Sequence, residues 1–303
     1  MYYYELALLK SPLNNLTFQS EEKITLGKKV LIKIKQRKNL DEAVVIKEVE
    51  KPTFKCSDIV EITNEYFDEK MQQIASFVSQ YYVCSLGEAL SVYIPFDKNI
   101  NPIFNEEKFD SKIVLSAQQE KAKEFLKDKK QALLFADTGA GKTEVYIKII
   151  EEHLNANKQA ILLMPEISLT PQMQKRLEKV FGKSIAIWHS KITKKKKEEI
   201  LKGLQEGSIR LIAGARSALF LPYSNLGVIV VDEEHDDSYK SDSKPRFHTK
   251  DLSIYMAKKF DLQLVLGSAT VSSSSFFNIS FFRLDETYHQ TKIYYSFEDS
   301  EAK

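Results

Sequence analysis

The stretch Gln131-Ala132-Leu133-Leu134-Phe135-Ala136-Asp137-Thr138-Gly139-Ala140-Gly141-Lys142-Thr143 decides how the rest of the chain is read. An apolar run breaks into a short glycine-containing loop, and Gly-Lys-Thr opens a segment of helical periodicity that runs through Leu154. Strand, glycine-rich turn and helix start, in that order, are the context a phosphate-binding loop requires. Glycines let the backbone wrap a polyphosphate closely. Loop N–H groups and the helix N-terminus supply positive potential. Thr138, Gly139, Ala140, Gly141, Lys142 and Thr143 are therefore the candidate ATP-binding residues. Lys142 would reach the outer phosphates, and the Thr143 hydroxyl would ligate Mg²⁺. Ala136 stands where the usual pattern begins with glycine. A chance Gly-rich turn is the competing reading, and both the Gly-Lys-Thr ending and the flanking elements argue against it.

Working outward, helix and strand signals alternate. Helix Gln118 to Lys127 precedes strand Gln131 to Phe135; helix Lys142 to Leu154 precedes strand Ala160 to Met164. Further short apolar runs lie at Ile185 to Trp188, Ile209 to Ala213, Val228 to Val231 and Leu262 to Leu266. Such runs separated by helices predict a parallel sheet covered on both faces, an α/β lobe. One of these strands ends in Val231-Asp232-Glu233-Glu234-His235, about ninety residues after the loop. In open α/β sheets ligands bind at the strands' C-terminal ends. Asp232 would hold the Mg²⁺ shell and Glu233 would polarise an attacking water as general base. Alone, this run also reads as a solvated acidic strand end. Gly267-Ser268-Ala269-Thr270 closes the next strand, and its hydroxyls can bond to the carboxylate motif or simply form a turn.

The front of the chain reads differently. Tyr2 to Leu9, Val30 to Ile34 and Ala43 to Val49 are β-branched or aromatic runs separated by polar turns, with Lys33, Lys35, Arg37 and Lys38 nearby. Thr63 to Tyr82 has helical spacing, and Asn99 to Asp110 reads as a linker. The 303 residues carry 44 basic and 42 acidic side chains, a net charge of +2, so nucleic-acid binding would have to come from local patches. Cys56 and Cys84 are too few for a disulfide scaffold or a four-cysteine zinc site. Lacking a basic n-region, the N-terminus is not read as a signal peptide, and no run approaches a membrane span. A cytoplasmic location without membrane contact is expected. Lys194 to Lys197 reads as a solvated helix face.

The phosphate loop, Asp232-Glu233-Glu234-His235 and Gly267-Ser268-Ala269-Thr270, in this order, resemble superfamily 2 helicases of the DEAH-like type. Met164-Pro165-Glu166-Ile167-Ser168-Leu169-Thr170-Pro171-Gln172, Trp188-His189-Ser190, Gly214-Ala215-Arg216-Ser217-Ala218-Leu219-Phe220, Asp236-Asp237-Ser238-Tyr239-Lys240 and Pro245-Arg246-Phe247-His248-Thr249-Lys250 narrow the resemblance. So do Tyr81-Tyr82 and Leu86-Gly87-Glu88. Together they resemble the replication-restart helicase family, primosomal protein N-prime or PriA, over its N-terminal half.

The resemblance implies a RecA-like P-loop motor lobe at 111–285, preceded by a β-rich domain at 1–52 that binds a DNA 3′ end and a winged-helix domain at 53–105. Residues 286–303 would begin a further region. It implies an ATP-dependent 3′-to-5′ DNA helicase that recognises stalled or abandoned forks and starts primosome assembly. ATP and Mg²⁺ are the implied cofactors; forked and single-stranded DNA, single-strand-binding protein and primosome proteins are the implied partners. Gln119 resembles the adenine-reading glutamine. Thr170, Ser190 and Arg216 sit where such motors touch single-stranded DNA. Tyr239, Phe247 and His248 lie in an aromatic-rich loop that would stack on bases or couple DNA binding to hydrolysis. Ser241 and Val271 depart from the family's usual Gln and Pro, and Leu13 to Phe18 departs from its wording, so the end-sensing residue is not assigned. A motor needs a second RecA-like lobe, which supplies an arginine finger, and the family's zinc module needs paired cysteines. The chain is therefore expected to be a fragment that binds DNA and nucleotide but hydrolyses slowly. A DNA-binding adaptor with a non-catalytic ATP site and another superfamily 2 translocase are the alternatives.

Overall fold

The computed structural model describes residues 1–35, 37–100 and 107–285. The expectation for 286–303, and half of the expected linker, at 101–106, lie outside the described residues.

Six strands build the front end: β1 (Tyr2–Leu8), β2 (Leu16–Ser20), β3 (Lys28–Ile32), β4 (Asp41–Val49), β5 (Ser57–Tyr66) and β6 (Phe96–Asp97). Their order is β2-β1-β4-β3-β5-β6, and a parallel pairing of β2 with β5 curls the sheet into a small barrel. Period-2 alternation fills it. Tyr4, Leu6 and Leu8 of β1, Val30 and Ile32 of β3, and Ala43 and Val45 of β4 point inward. Val44, between two of them, points outward into the larger core.

Helical spacing predicts a helix from Thr63, yet Ser57–Tyr66 is a strand and α1 (Glu69–Tyr81) starts after it, capped by Asp68. β5 is mostly exposed and carries no alternation, so its signal lies in its pairing with β3. That pairing also crosses the expected boundary between residues 52 and 53. The remainder of the segment expected to be a winged helix comprises α1, α2 (Leu86–Leu90) and β6.

The second sheet holds seven parallel strands: β7 (Gln131–Ala136), β8 (Gln159–Leu163), β9 (Ile185–Trp188), β10 (Leu211–Gly214), β11 (Leu226–Val231), β12 (Gln263–Ser268) and β13 (Phe281–Leu284), ordered β13-β7-β12-β11-β8-β10-β9. Its central strands are apolar on both faces, as burial on both sides requires. Ile229 and Val231 face one core, while Val228 and Val230 face the other. Helices α3 (Ala117–Lys127), α4 (Lys142–Asn155) and α5 (Pro171–Phe181) cover one face. Helices α6 (Lys194–Glu206) and α7 (Thr249–Phe260) cover the other, and α8 (Ser273–Asn278) follows β12. This is the expected RecA-like α/β lobe. Among the described residues no helix is long and apolar enough to cross a membrane.

α1 packs on the motor lobe. Phe77 stacks on Tyr255 with centroids 3.7 Å apart, Tyr93 meets Phe220 edge-on, and Ile94 N–H donates to the Phe220 carbonyl at 3.0 Å.

Candidate active site

The loop after β7 and the end of β11 meet at the C-terminal edge of the sheet, with β12 between them. Gly141 caps α4 at φ +89°, a left-handed conformation that glycine adopts without cost. It also has no room for a side chain, because a Cβ would lie 2.2 Å from the Gln119 amide nitrogen. Lys142 is buried, donates to the Ala136 carbonyl at 2.9 Å and pairs with Glu233 at 3.2 Å. Asp137, Thr138, Gly139, Lys142, Thr143, Asp232 and Glu233 line one hollow of about 380 Å³.

Three consecutive carboxylates then diverge. Asp232 is buried and accepts a hydrogen bond from the Tyr146 hydroxyl at 3.0 Å. Burial, and then the neighbouring Glu233 charge, push its pKa up to about 6 against the pull of Lys142 and Tyr146. Glu233 has φ +48°, a left-handed conformation costing about 1–3 kcal/mol outside glycine. It reaches Lys142 with one oxygen and accepts from Ala269 N–H at 3.3 Å with the other. Glu234 turns into the core, where Lys250 (2.8 Å), Ser272 N–H (2.9 Å) and Ser275 (3.0 Å) surround it. Burial alone would raise its pKa, but these donors, Lys250 foremost, hold it below the ordinary glutamate range. The His235 ring bridges the Ser268 and Thr270 hydroxyls at 2.7 and 2.9 Å. The glycine–serine–alanine–threonine turn thus touches the carboxylate motif, as its hydroxyls led us to expect.

An oxygen-only donor set, the Asp232 carboxylate and the Thr143 hydroxyl, suits Mg²⁺, which keeps several waters and takes few protein ligands. Among the described residues no group of three or more His, Cys, Asp or Glu is placed to hold a metal ion.

Gln119 is buried, but its amide is committed. It accepts from Ser116 N–H at 2.8 Å in a capping box and donates to the Gly141 carbonyl at 3.2 Å. As placed it braces the phosphate loop, and the expected base-reading amide is not free to face a base. Thr170 caps α5, accepting from Met173 N–H at 3.2 Å, and Ser190 donates to Glu166 at 3.2 Å. Both are exposed at the sheet's C-terminal edge. Arg216 donates to the Ser238 carbonyl at 3.0 Å and to the Lys240 carbonyl, tying down the aromatic-rich loop. Tyr239 and Phe247 correct an expectation. They are 1% and 5% exposed, so neither ring offers a face to a base. Tyr239 instead donates to the Asp232 carbonyl at 2.6 Å. His248 is half-buried, its N–H donating to the Tyr82 hydroxyl at 3.1 Å, and burial lowers its pKa. In the front end, Arg37 pairs with Asp41 at 2.5 Å and Lys33 donates to the Lys38 carbonyl at 2.5 Å.

Sequence reasoning missed Tyr146, Lys250, and the Arg176–Glu144 ion pair. Tyr146 had a signal, since it lies four residues after Lys142 on the same helix face. Lys250 had only its place at the end of the quoted Pro245–Lys250 motif and Arg176 had no signal, because their partners come from other elements.

A family model described as DEAD/DEAH box helicase matches residues 116–277. Another, the 3′ DNA-binding domain (3'BD), matches residues 9–95. The chain is 41% identical over 283 residues to replication restart protein PriA of Helicobacter pylori (strain ATCC 700392 / 26695), covering 91% of this chain and 44% of that protein. To PriA of Rickettsia felis it is 38% identical over 212 residues, 68% of this chain and 33% of that one. To PriA of Bacillus subtilis (strain 168) it is 45% identical over 144 residues, 48% of this chain and 18% of that one. The chain thus spans less than half the length of the curated relatives it matches. It belongs to the DEAD/DEAH box helicase family, with the replication-restart proteins PriA as its relatives along nine-tenths of its own length.

Proposed function

We propose that the intact protein is an ATP-dependent 3′-to-5′ DNA helicase that recognises stalled or abandoned replication forks and initiates primosome assembly. In this reading residues 1–97 form the DNA-binding front end, with the 3′-end-binding part in the barrel, and 111–285 form the first motor lobe. The observation that supports it best is the meeting of Lys142 and Glu233 at 3.2 Å, with Asp232 beside them, at the mouth of a glycine loop on a parallel sheet.

The roles follow from chemistry. Lys142 would hold the outer phosphates, while loop N–H groups from Thr138 to Thr143 would take the inner ones. Thr143 and Asp232 would hold Mg²⁺, which neutralises phosphate charge when bound. A cation would also keep Asp232 ionised despite its raised pKa. Glu233 would leave Lys142 and polarise the attacking water. Ala269 N–H, on its second oxygen, would orient it, and the His235 bridge to Ser268 and Thr270 would carry the state of the site to that turn. Thr170, Ser190 and Arg216 would contact DNA phosphates without reading sequence. Partners would be forked and single-stranded DNA, single-strand-binding protein and primosome proteins, in the cytoplasm.

The test is ATP hydrolysis and fork binding by this polypeptide, with and without forked DNA bearing a leading-strand 3′ end. We expect preferential binding of that fork and slow, fork-stimulated turnover that Lys142→Ala lowers about 100-fold. Indifference to the 3′ end, or turnover that survives Lys142→Ala, would reject the reading.

A further inference from the structure

The two side chains read as metal ligands stand on different elements, Thr143 at the start of α4 and Asp232 at the end of β11. Tyr146 joins them. It follows Thr143 on α4, it is buried, and its hydroxyl donates to Asp232 at 3.0 Å. α4 thus carries one oxygen ligand itself and holds the other through a buried ring.

That bond settles something the aspartate cannot settle alone. The last torsion of an aspartate is broad, so no rotamer preference fixes the plane of its carboxylate. Here one oxygen accepts from Tyr146 and lies beside Gly267, where a Cβ would come within 3.3 Å of it. The same carboxylate lines the hollow shared with Lys142 and Thr143. Tyr239 donates to the main-chain carbonyl of Asp232 at 2.6 Å, so the backbone and the side chain of this residue are each held by a tyrosine. Packing alone does not account for the hydroxyl at 146. A phenylalanine would fill the same core position without taking a polar group out of water.

We propose that Tyr146 is a positioning residue for the metal: its hydroxyl fixes the plane of the Asp232 carboxylate, keeping one oxygen on the protein and leaving the other to Mg²⁺. The inference rests on the nucleotide-site reading above and adds to it the group that orients its aspartate. Hydrogen bonds from outside the ligand set fix the orientation of metal-binding carboxylates and so govern metal affinity.

The test is binding of Mn²⁺, a paramagnetic stand-in for Mg²⁺ that also suits carboxylate and water ligands, to the full chain with ADP. It is read from the loss of the free-ion spin-resonance signal, and ADP binding in EDTA is measured alongside by calorimetry. Tyr146→Phe should weaken Mn²⁺ about tenfold, the effect of losing a group that orients a metal ligand, and leave metal-free ADP binding unchanged. Asp232→Asn should also weaken Mn²⁺. In that background Tyr146→Phe should add less than about twofold, because the hydroxyl acts through the carboxylate. Both substitutions preserve side-chain shape, and a cooperative melt is the folding control. Unchanged Mn²⁺ affinity in Tyr146→Phe, an equal loss of metal-free ADP binding, or a full effect of Tyr146→Phe in the Asp232→Asn background overturns the inference. Its failure is separable from failure of the nucleotide site. If the wild type with ADP binds no more Mn²⁺ than ADP itself does, or if Asp232→Asn leaves Mn²⁺ affinity intact, the underlying reading fails instead.

Discussion

At the scale of single residues, the left-handed backbone of Glu233 does the sorting in the carboxylate run. It sends Asp232 to Tyr146, Glu233 to Lys142 and Glu234 to Lys250, three neighbours with three different partners. The buried Lys250–Glu234 pair carries a stability prediction. Removing one member leaves an unpaired buried charge, which costs about 3–5 kcal/mol. Lys250→Met should lose that much at neutral pH in denaturant titration, and a loss below about 1 kcal/mol would refute the pairing. The sign with pH follows from Glu234, whose folded-state pKa is depressed. Its contribution is present above the unfolded glutamate pKa of about 4.3 and fades as pH falls through the lower folded value. The gap between wild type and Lys250→Met should therefore close in acid. The meeting of Lys142, Asp232 and Glu233 at one hollow was legible in the sequence because each sits at a fixed offset within a local motif. The partner of Lys250 was not, because its place in a motif names no acceptor until β11 and the segment after β12 are brought to it.

At the scale of elements, β12 runs between the strand that carries the phosphate loop and the strand that carries Asp232. The Tyr146 hydroxyl must pass over its end to reach Asp232, and Gly267 makes that passage possible. A Cβ there would stand 1.6 Å from that hydroxyl, and the tyrosine is fully buried with nowhere to retreat. Gly267→Ala should cost about 1–3 kcal/mol through overpacking. Adding Tyr146→Phe, which removes the clashing oxygen, should recover part of it. Thermal melts of the single and double variants decide; a double variant no more stable than Gly267→Ala would place the strain elsewhere. The glycine was visible as part of a Gly-Ser-Ala-Thr turn, but its reason was not, since the atom that excludes a side chain belongs to α4.

Across the whole molecule, the front end and the motor lobe share a core. Met71, Ile74 and Val78 of α1 lie in one buried cluster with Leu219, Phe220 and Met256 of the lobe. Phe220 meets Tyr93 on the front-end side and Phe247 of the aromatic-rich loop on the other. Phe220→Ala should cost about 3–5 kcal/mol by opening a cavity at this junction. The wild-type chain should melt in one transition that the variant splits or broadens, read by differential scanning calorimetry. Two well-separated transitions in the wild type would mean that the shared core does not couple the parts.

The phosphate loop, the carboxylate strand end and their arrival at one edge of a parallel sheet were determined by the sequence alone. Each is a local pattern, and right-handed strand–helix–strand connections bring the ends of such strands to a common edge. The tertiary structure decided what depends on partners far apart in the chain. β5 joins the barrel through pairing with β3, against its weak local signal. Gln119 braces a loop 22 residues away instead of standing free, and Tyr239 is buried beneath Asp232 instead of facing a base. The physical reason is the same in each case. A residue type and its spacing specify what a side chain can do, but the groups already occupying its hydrogen bonds and its surface specify what it does.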